Sequence, residues 1–258
     1  MRLTILGAGS SHGTPVIACD CETCTSPDPR NHRMRASALV EVAGRSFLID
    51  SGPELRVQAV RAGIRRVDAV LFTHFHADHV HGLDDLKAFN AVLGGVLPCY
   101  GNAQTEAVLR NRFDYAFAGT PWVGLIPHVT FEVVEDTFDL LGVPVTPIDM
   151  QHGRIRACGW RIGGLAYLTD ANAIPEASLE RLRGLDLLVI DGLRPRPHPT
   201  HFSVDEAVAV SRVLRPRRTL LTHMNHNVEY HRVSAELPPD VALAYDGLII
   251  DLPDPPAC

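Results

Sequence analysis

The 258-residue sequence predicts a mixed α/β fold on three observations. Short apolar runs recur between turn signals, a few segments carry helical spacing, and chemically capable residues stand immediately after several apolar runs. Leu3–Leu6, Ala38–Val42 and Phe47–Ile49 have the length and residue types of strands, the last two joined by a turn at Gly44-Arg45. Ala69–Phe72 is a further strand that stops at Thr73, and Gly82–Leu93 spaces Leu83, Leu86 and Phe89 along one helical face. In the second half Val129–Val134, Val143–Ile148, Gly159–Ile162, Ala166–Thr169, Leu187–Ile190 and Thr219–Thr222 read as strands, and Glu176–Arg183 reads as a helix. Ser203 and Glu206 have the spacing of a capping box for a helix that runs to Leu214.

Apolar residues make up 46% and charged residues 21%, which supports an ordinary globular core; with no internal repeat, one domain over residues 1–258 is expected. Its proline-rich end, 253–258, is expected to fray. The 24 basic and 30 acidic side chains leave a net charge of −6, which argues against a broad nucleic-acid surface but not against a small anionic ligand. The opening apolar run is too short for a signal peptide, and no run approaches the roughly 20 apolar residues of a membrane span. A cytoplasmic protein is therefore expected. In that reducing setting the tight cluster among the six cysteines points to metal rather than disulfides.

The densest chemistry lies at Thr73-His74-Phe75-His76-Ala77-Asp78-His79, on the loop after a strand. Four metal-capable residues within six positions make a poor choice for packing and a good one for ligation. Such a loop can serve two metals yet complete neither, because each needs roughly four ligands or more. His152, Asp170 and His223 each follow a later apolar run and can close the sites, and a carboxylate such as Asp170 has two oxygens with which to bridge two cations. A second cluster, Cys19-x-Cys21-x-x-Cys24, offers three soft thiolates that suit zinc and need a fourth partner. His226, three residues beyond His223, supplies it if the two imidazoles face opposite ways.

The His74–His79 run resembles the Thr-His-x-His-x-Asp-His signature of the metallo-β-lactamase superfamily, and the positions of His152, Asp170 and His223 match its later motifs. The resemblance spans Gly7 to Asp251 and implies a four-layer αββα sandwich. It implies one metal on His74, His76 and His152, a second on Asp78, His79 and His223, and Asp170 bridging them. Ala77, where the diiron branch carries a glutamate, argues against a redox role, and His79 argues against antibiotic hydrolysis. Cys19, Cys21, Cys24 and His226, with Gly7-x-Gly9-Ser10-Ser11-x-Gly13-x-Pro15 and Tyr245-Asp246-Gly247, resemble more narrowly the PhnP phosphodiesterases of phosphonate degradation. The zinc-binding loop is then about 16–36.

That likeness implies hydrolysis of small cyclic phosphodiesters, such as phosphoribosyl 1,2-cyclic phosphate or 2′,3′-cyclic nucleotides, by a hydroxide shared between two zinc or manganese ions, plus one structural zinc. It places a substrate-facing histidine at His201, beside Asp78 as the catalytic residues; an imidazole with an ordinary pKa of about 6.5 suits a general acid. Ser10, Ser11, Arg33 and Arg35, and with them Arg194 and Arg196, are candidates for contacting the substrate. A homodimer is the assembly to test. The competing readings are a ribonuclease Z-like nuclease, a lactonase or thioester hydrolase on the same scaffold, and a non-catalytic metal module. The first needs a basic RNA-gripping surface that the charge does not favour.

Overall fold

The computed structural model describes residues 1–117 and 125–255. In chain order the first half comprises β1 (Arg2–Gly7), β2 (Ser37–Val42), β3 (Arg45–Ile49), α1 (Leu55–Ala62), β4 (Ala69–Leu71), α2 (Ala77–Val80), α3 (Lys87–Leu93), β5 (Leu97–Gly101), α4 (Ala103–Arg112) and β6 (Val129–Val133). The second half comprises β7 (Phe138–Leu140), β8 (Val143–His152), β9 (Ile155–Ile162), β10 (Leu165–Leu168), α5 (Glu176–Glu180), β11 (Leu187–Asp191), α6 (Val204–Leu214), β12 (Arg218–Thr222), α7 (Tyr230–Glu236), β13 (Val241–Leu243) and β14 (Ile249–Asp251). They form two mixed seven-stranded sheets, ordered β14-β1-β2-β3-β4-β5-β6 and β13-β12-β11-β10-β9-β8-β7.

Alternation along the strands explains the layers. Leu3 and Ile5 of β1, Ala38 and Val40 of β2, Phe47 and Ile49 of β3, and Ala69 and Leu71 of β4 face a core shared with Val145, Trp160 and Ile162 of the second sheet. Their neighbours Leu6, Leu39, Leu48 and Val70 point the other way, into a second core with Leu55 of α1 and Phe89 of α3. On the far side of the second sheet, Val204, Ala207, Val208 and Leu214 of α6 are buried. The result is two sheets packed face to face with helices on both outer faces, the αββα arrangement.

Several boundaries differ from the sequence expectation. The β2–β3 turn is Ala43–Gly44, one residue earlier than Gly44-Arg45, with both residues at positive φ (50° and 72°); such two-residue hairpin turns match the strand twist. Gly82–Leu93 is not one helix. Leu83–Leu86 is a 3₁₀ turn, and only Lys87–Leu93 is α-helical. The helix expected over Glu176–Arg183 stops at Glu180. Strand β8 runs four residues past Ile148 and pairs with β9 as far as His152 opposite Ile155; its polar residues alternate outward, which hides the strand from a search for apolar runs. The capping box of α6 is present, with Ser203 Oγ accepting from Glu206 N–H and the Glu206 carboxylate accepting from Ser203 N–H. Near its end the chain is joined to its start. The Met1 ammonium donates to Leu252 O at 3.0 Å and to Asp254 at 2.5 Å, and residues 256–258 lie outside the described residues. Among the described residues no helix is long and apolar enough to cross a membrane.

Candidate metal centre and active site

Five strands end at one place. The loop after β4 carries His74, the last residue of β8 is His152, Asp170 follows β10, Asp191 closes β11, and His223 follows β12. Polar residues concentrate there because the strand ends are where backbone and side chains escape the apolar sandwich. Asp50, Asp170 and His223 sit at positive φ (60°, 59° and 55°), a conformation non-glycine residues adopt only where surrounding structure enforces it. The two sheets are clamped beneath the site by a backbone bond of 2.7 Å from Cys158 N–H to Thr73 O.

The ligand-capable atoms fall into groups. His74, His76 and His152 form one, and Asp78, His79, Asp170 and His223 another, the atoms of each lying within 4.8 Å of one another. Asp170 stands between them. Its Oδ2 is 3.2 Å from His79 Nε2 and its Oδ1 3.3 Å from His223 Nε2, while Oδ1 is 4.0 Å from Nε2 of both His74 and His152. A tetrahedral zinc with ligands at about 2.0–2.1 Å separates adjacent ligand atoms by roughly 3.3 Å, which the spacings to His79 and His223 match and those to His74 and His152 exceed. Nε2 of His74, His79 and His223 are buried and make no hydrogen bond, with only the Asp78 and Asp170 carboxylates near those of His79 and His223, so three imidazole nitrogens aim at a common space shared with two carboxylates. The residues therefore fit a pair of divalent cations.

Second partners fix the rings. Asp50 Oδ2 lies 2.7 Å from His79 Nδ1, and the carboxylate is itself held by Thr73, whose N–H donates to Oδ1 and whose Oγ1–H donates to Oδ2, both at 2.8 Å. His152 Nδ1–H donates to Thr200 O at 2.7 Å. Each bond leaves Nε2 as the ligating nitrogen. Burial pushes the His79 imidazolium down, but Asp170, Asp78 and Asp50 outweigh it and hold its pKa well above the usual histidine value. Burial and then the neighbouring His79 push His74 well below it. Burial opposes ionisation of Asp170 too, yet His223, His79 and His74 keep that carboxyl far below its ordinary range.

His201 faces the same cavity. Its ring stacks on His223 (centroids 5.0 Å apart, 13° between planes) and meets His152 edge-on at 4.7 Å. Its Nδ1 is 2.7 Å from Oδ2 of Asp191, a fully buried carboxylate that also accepts from Ala171 N–H. Asp50 and Asp191 were not among the residues expected from the sequence. Both follow apolar strands immediately, Asp50 after Phe47–Ile49 and Asp191 after Leu187–Ile190, the same signal that marks Asp170.

The cysteine cluster meets its expected partner. Sγ of Cys19, Cys21 and Cys24 lie 3.2, 3.6 and 3.7 Å from His226 Nδ1. Bonds of about 2.3 Å to sulfur and 2.0 Å to nitrogen at the tetrahedral angle imply a separation of roughly 3.5 Å, so these four also fit zinc. Arg33 explains how His226 comes to be there. It is buried (1% exposed) and donates to Asn225 O and Val228 O, holding the turn that carries His226. Arg33 thus points away from the cavity, and Arg35 is paired with Glu54 and donates to Ser11 O; neither lines the cavity, against the expectation that they meet substrate. Of the two serines, Ser11 lines it and the buried Ser10 does not. Arg194 donates to Arg196 O and Pro197 O, outside the cavity.

The family model described as "Beta-lactamase superfamily domain" matches residues 45–224. A structure titled as a new diphosphatase from the PhnP family superposes with a TM-score of 0.91 at 40% identity, covering 98% of both chains. A protein named octanoyltransferase from Porphyromonas gingivalis is 38% identical over 97% of this chain, and ribonuclease Z of Parabacteroides distasonis is 26% identical over 66% of it. The chain spans 52% and 59% of the lengths of those two, so much of each has no counterpart here.

Proposed function

Because the chain belongs to the metallo-β-lactamase superfamily, and within it to the PhnP family, we propose that it is a metal-dependent hydrolase of small phosphodiesters, cyclic ones among them. The observation that carries this reading is the pairing of His201 with buried Asp191 across the cavity from the two ligand groups. His74, His76 and His152 would hold one divalent ion, zinc or manganese, Asp78, His79 and His223 the other, and Asp170 would span both. When bound, such a pair supplies Lewis-acid charge for phosphoryl oxygens and lowers the pKa of water to about 7.

The rest is the work of the chain. Asp50 and Thr200 O hold His79 and His152 in the ligating tautomer, so neither ring turns when the substrate arrives. Asp191 accepts the Nδ1 proton of His201, which directs Nε2 into the cavity. From there an imidazolium hands its Nε2 proton to the leaving alkoxide, the step an ester with a poor leaving group needs most. The cavity, of about 360 Å³, suits a small ester rather than a polymer. Its lining holds neither cysteine nor lysine among the described residues, so it offers no such nucleophile for acyl transfer of the kind named for the longer relative.

His76→Ala tests the reading. It removes a ligand that is not fully buried, so the fold should persist while turnover of bis(p-nitrophenyl) phosphate falls at least about a hundredfold and bound metal decreases. Full activity with a complete metal complement would overturn it.

A further inference from the structure

Two candidate metal ligands leave the end of β12 on one turn. His223 belongs to the catalytic group, and His226, three residues on, belongs to the cysteine group. His223 stands at φ +55°, which a residue with a Cβ keeps only under constraint. His79 and His152 each have a hydrogen-bond partner at Nδ1 that sets the ring, Asp50 and Thr200 O. His223 has none: both its nitrogens are buried without a hydrogen bond, and Asp191 Oδ1 lies 3.8 Å from Nδ1. The backbone of the turn is therefore what aims this ligand.

That backbone is held from two sides. Met224 N–H donates to Ala8 O at 2.9 Å, Ser10 N–H donates to Met224 O at 3.1 Å, and Asn225 N–H donates to Leu193 O at 2.9 Å. The carbonyls of Asn225 and Val228 are both taken by one side chain, the Arg33 guanidinium, at 3.1 and 2.9 Å. Arg33 is itself anchored at its backbone, with Arg33 N–H donating to Thr14 O at 2.7 Å and Thr14 N–H donating to Arg33 O at 2.9 Å. A Cβ on Gly9 would lie 2.6 Å from Arg33 O, so only glycine lets the loop after β1 pass this close. The arrangement is costly. Arg33 is 1% exposed, its side-chain hydrogen bonds go to carbonyl oxygens, and Nε has no partner among the described residues. Burial pushes its guanidinium down to about 10 against the pull of Asp246, Cys24 and Glu229, so it stays charged at neutral pH. A buried charge with no carboxylate bonded to it costs stability, and here it fixes the geometry of a turn.

We propose that Arg33 is a positioning residue of the catalytic centre: by closing the 225–228 turn from inside, it holds His223 in its ligating pose as well as His226. It touches neither the cavity nor a ligating atom of the catalytic group, and acts through His223. The proposal rests on the two-metal reading and is independent of the class of ester. It also separates two roles that the sequence places together. The cysteine group needs the turn, whereas the catalytic centre needs Arg33 and not the zinc that the cysteines would hold.

The test challenges the cobalt-loaded full chain with graded chelator. The sulfur-to-cobalt absorption band reports the cysteine group, elemental analysis gives the total, and the His/Asp centre follows by difference. Arg33→Met should give up one ion of the His/Asp centre at about 10- to 100-fold lower chelator activity than wild type, and excess cobalt should restore its turnover. Arg33→Lys keeps the charge without the planar fork and should fall between the two. Two controls separate this from general loosening. Asn31 is fully buried and bonds to Glu229 and Tyr230 just past the turn, so Asn31→Ala should lower the thermal midpoint without this shift. Cys21→Ala should lose the sulfur band and leave the His/Asp centre as in wild type. Unchanged chelator sensitivity in Arg33→Met overturns the proposal; if that variant does not fold, Arg33→Lys decides in the same way. An equal shift in Asn31→Ala or Cys21→Ala also overturns it. A wild type that holds no cobalt at the His/Asp centre overturns the two-metal reading and the proposal with it.

Discussion

Replacing Asp191 by Asn probes the proton-donating arm without touching a residue expected to bind metal through Nε2. Asp191 is fully buried, and its Oδ2 lies 2.7 Å from His201 Nδ1. Asn keeps the volume but removes the charge, and an amide that turns its NH₂ toward His201 forces the ring into the opposite tautomer. A hydrogen bond to a charged group contributes about 1.5–3 kcal/mol, so the proton-transfer step should slow about 10- to 100-fold. The loss should depend on the leaving group. A nucleotide p-nitrophenyl ester departs without help, and the corresponding methyl ester does not. The assay is therefore kcat/KM of wild type and Asp191→Asn on that pair, with metal content measured for both. The account expects a large loss on the methyl ester, a small one on the aryl ester, and unchanged metal content. Equal losses on both esters would refute the role of His201 as proton donor, since a general disturbance of the site does not discriminate leaving groups.

Two further outcomes are expected. Cys21→Ala should lose one metal ion per chain and lower the thermal midpoint by roughly 5–10 °C for a loss of about 2–3 kcal/mol, while the two ions of the His/Asp centre remain; unchanged metal content by elemental analysis would remove the cysteine site. Asp246 ties β1 to the loop before β2, its oxygens accepting from Ala8 N–H at 2.9 Å and Met34 N–H at 2.7 Å, and burial pushes its carboxyl up to about 7 against those donors. A raised acid contributes stability that is full below its unfolded pKa of about 3.9 and lost as pH rises through the folded value. The stability of wild type relative to Asp246→Asn should therefore fall by about 3 kcal/mol between pH 4.5 and 7 and level off above about 8, read from denaturation midpoints at several pH values. A difference that grows over that range would contradict the assignment.

The legible parts of this chain are those where one residue type answers to one physical need. The His74–His79 run is too dense for packing, Ser203 and Glu206 match a helix end, and the strands β1 to β4 announce themselves by apolar content. Elements whose burial is thin were hidden. Helix α1 buries little besides Leu55 and Gln58, and α4 little besides Thr105 and Leu109, so neither carries a clear apolar stripe. The four extra residues of β8 alternate polar with buried, which hides the hairpin that they form with β9. Arg33 misleads for a different reason. An arginine beside a cysteine cluster in a polar loop reads as a charge open to an anionic substrate, whereas here it is buried against carbonyl oxygens of a turn nearly two hundred residues away in sequence. Asp50 and Asp191 stand after apolar strands as plainly as Asp170 does. What the sequence lacks is the ring each of them faces, since the partners lie 29 and 10 residues away and meet only through the sheets.

The central claim is the class of ester, and one measurement addresses it directly: turnover by the purified, metal-loaded protein across cyclic phosphodiesters, linear phosphodiesters, phosphomonoesters, lactones and thioesters at equal concentration. The account predicts that cyclic and linear phosphodiesters are hydrolysed at least about a hundredfold faster than the carbon esters, a difference of about 2.7 kcal/mol in barrier. Rapid hydrolysis of a lactone or thioester with phosphodiesters left at the background rate would contradict it.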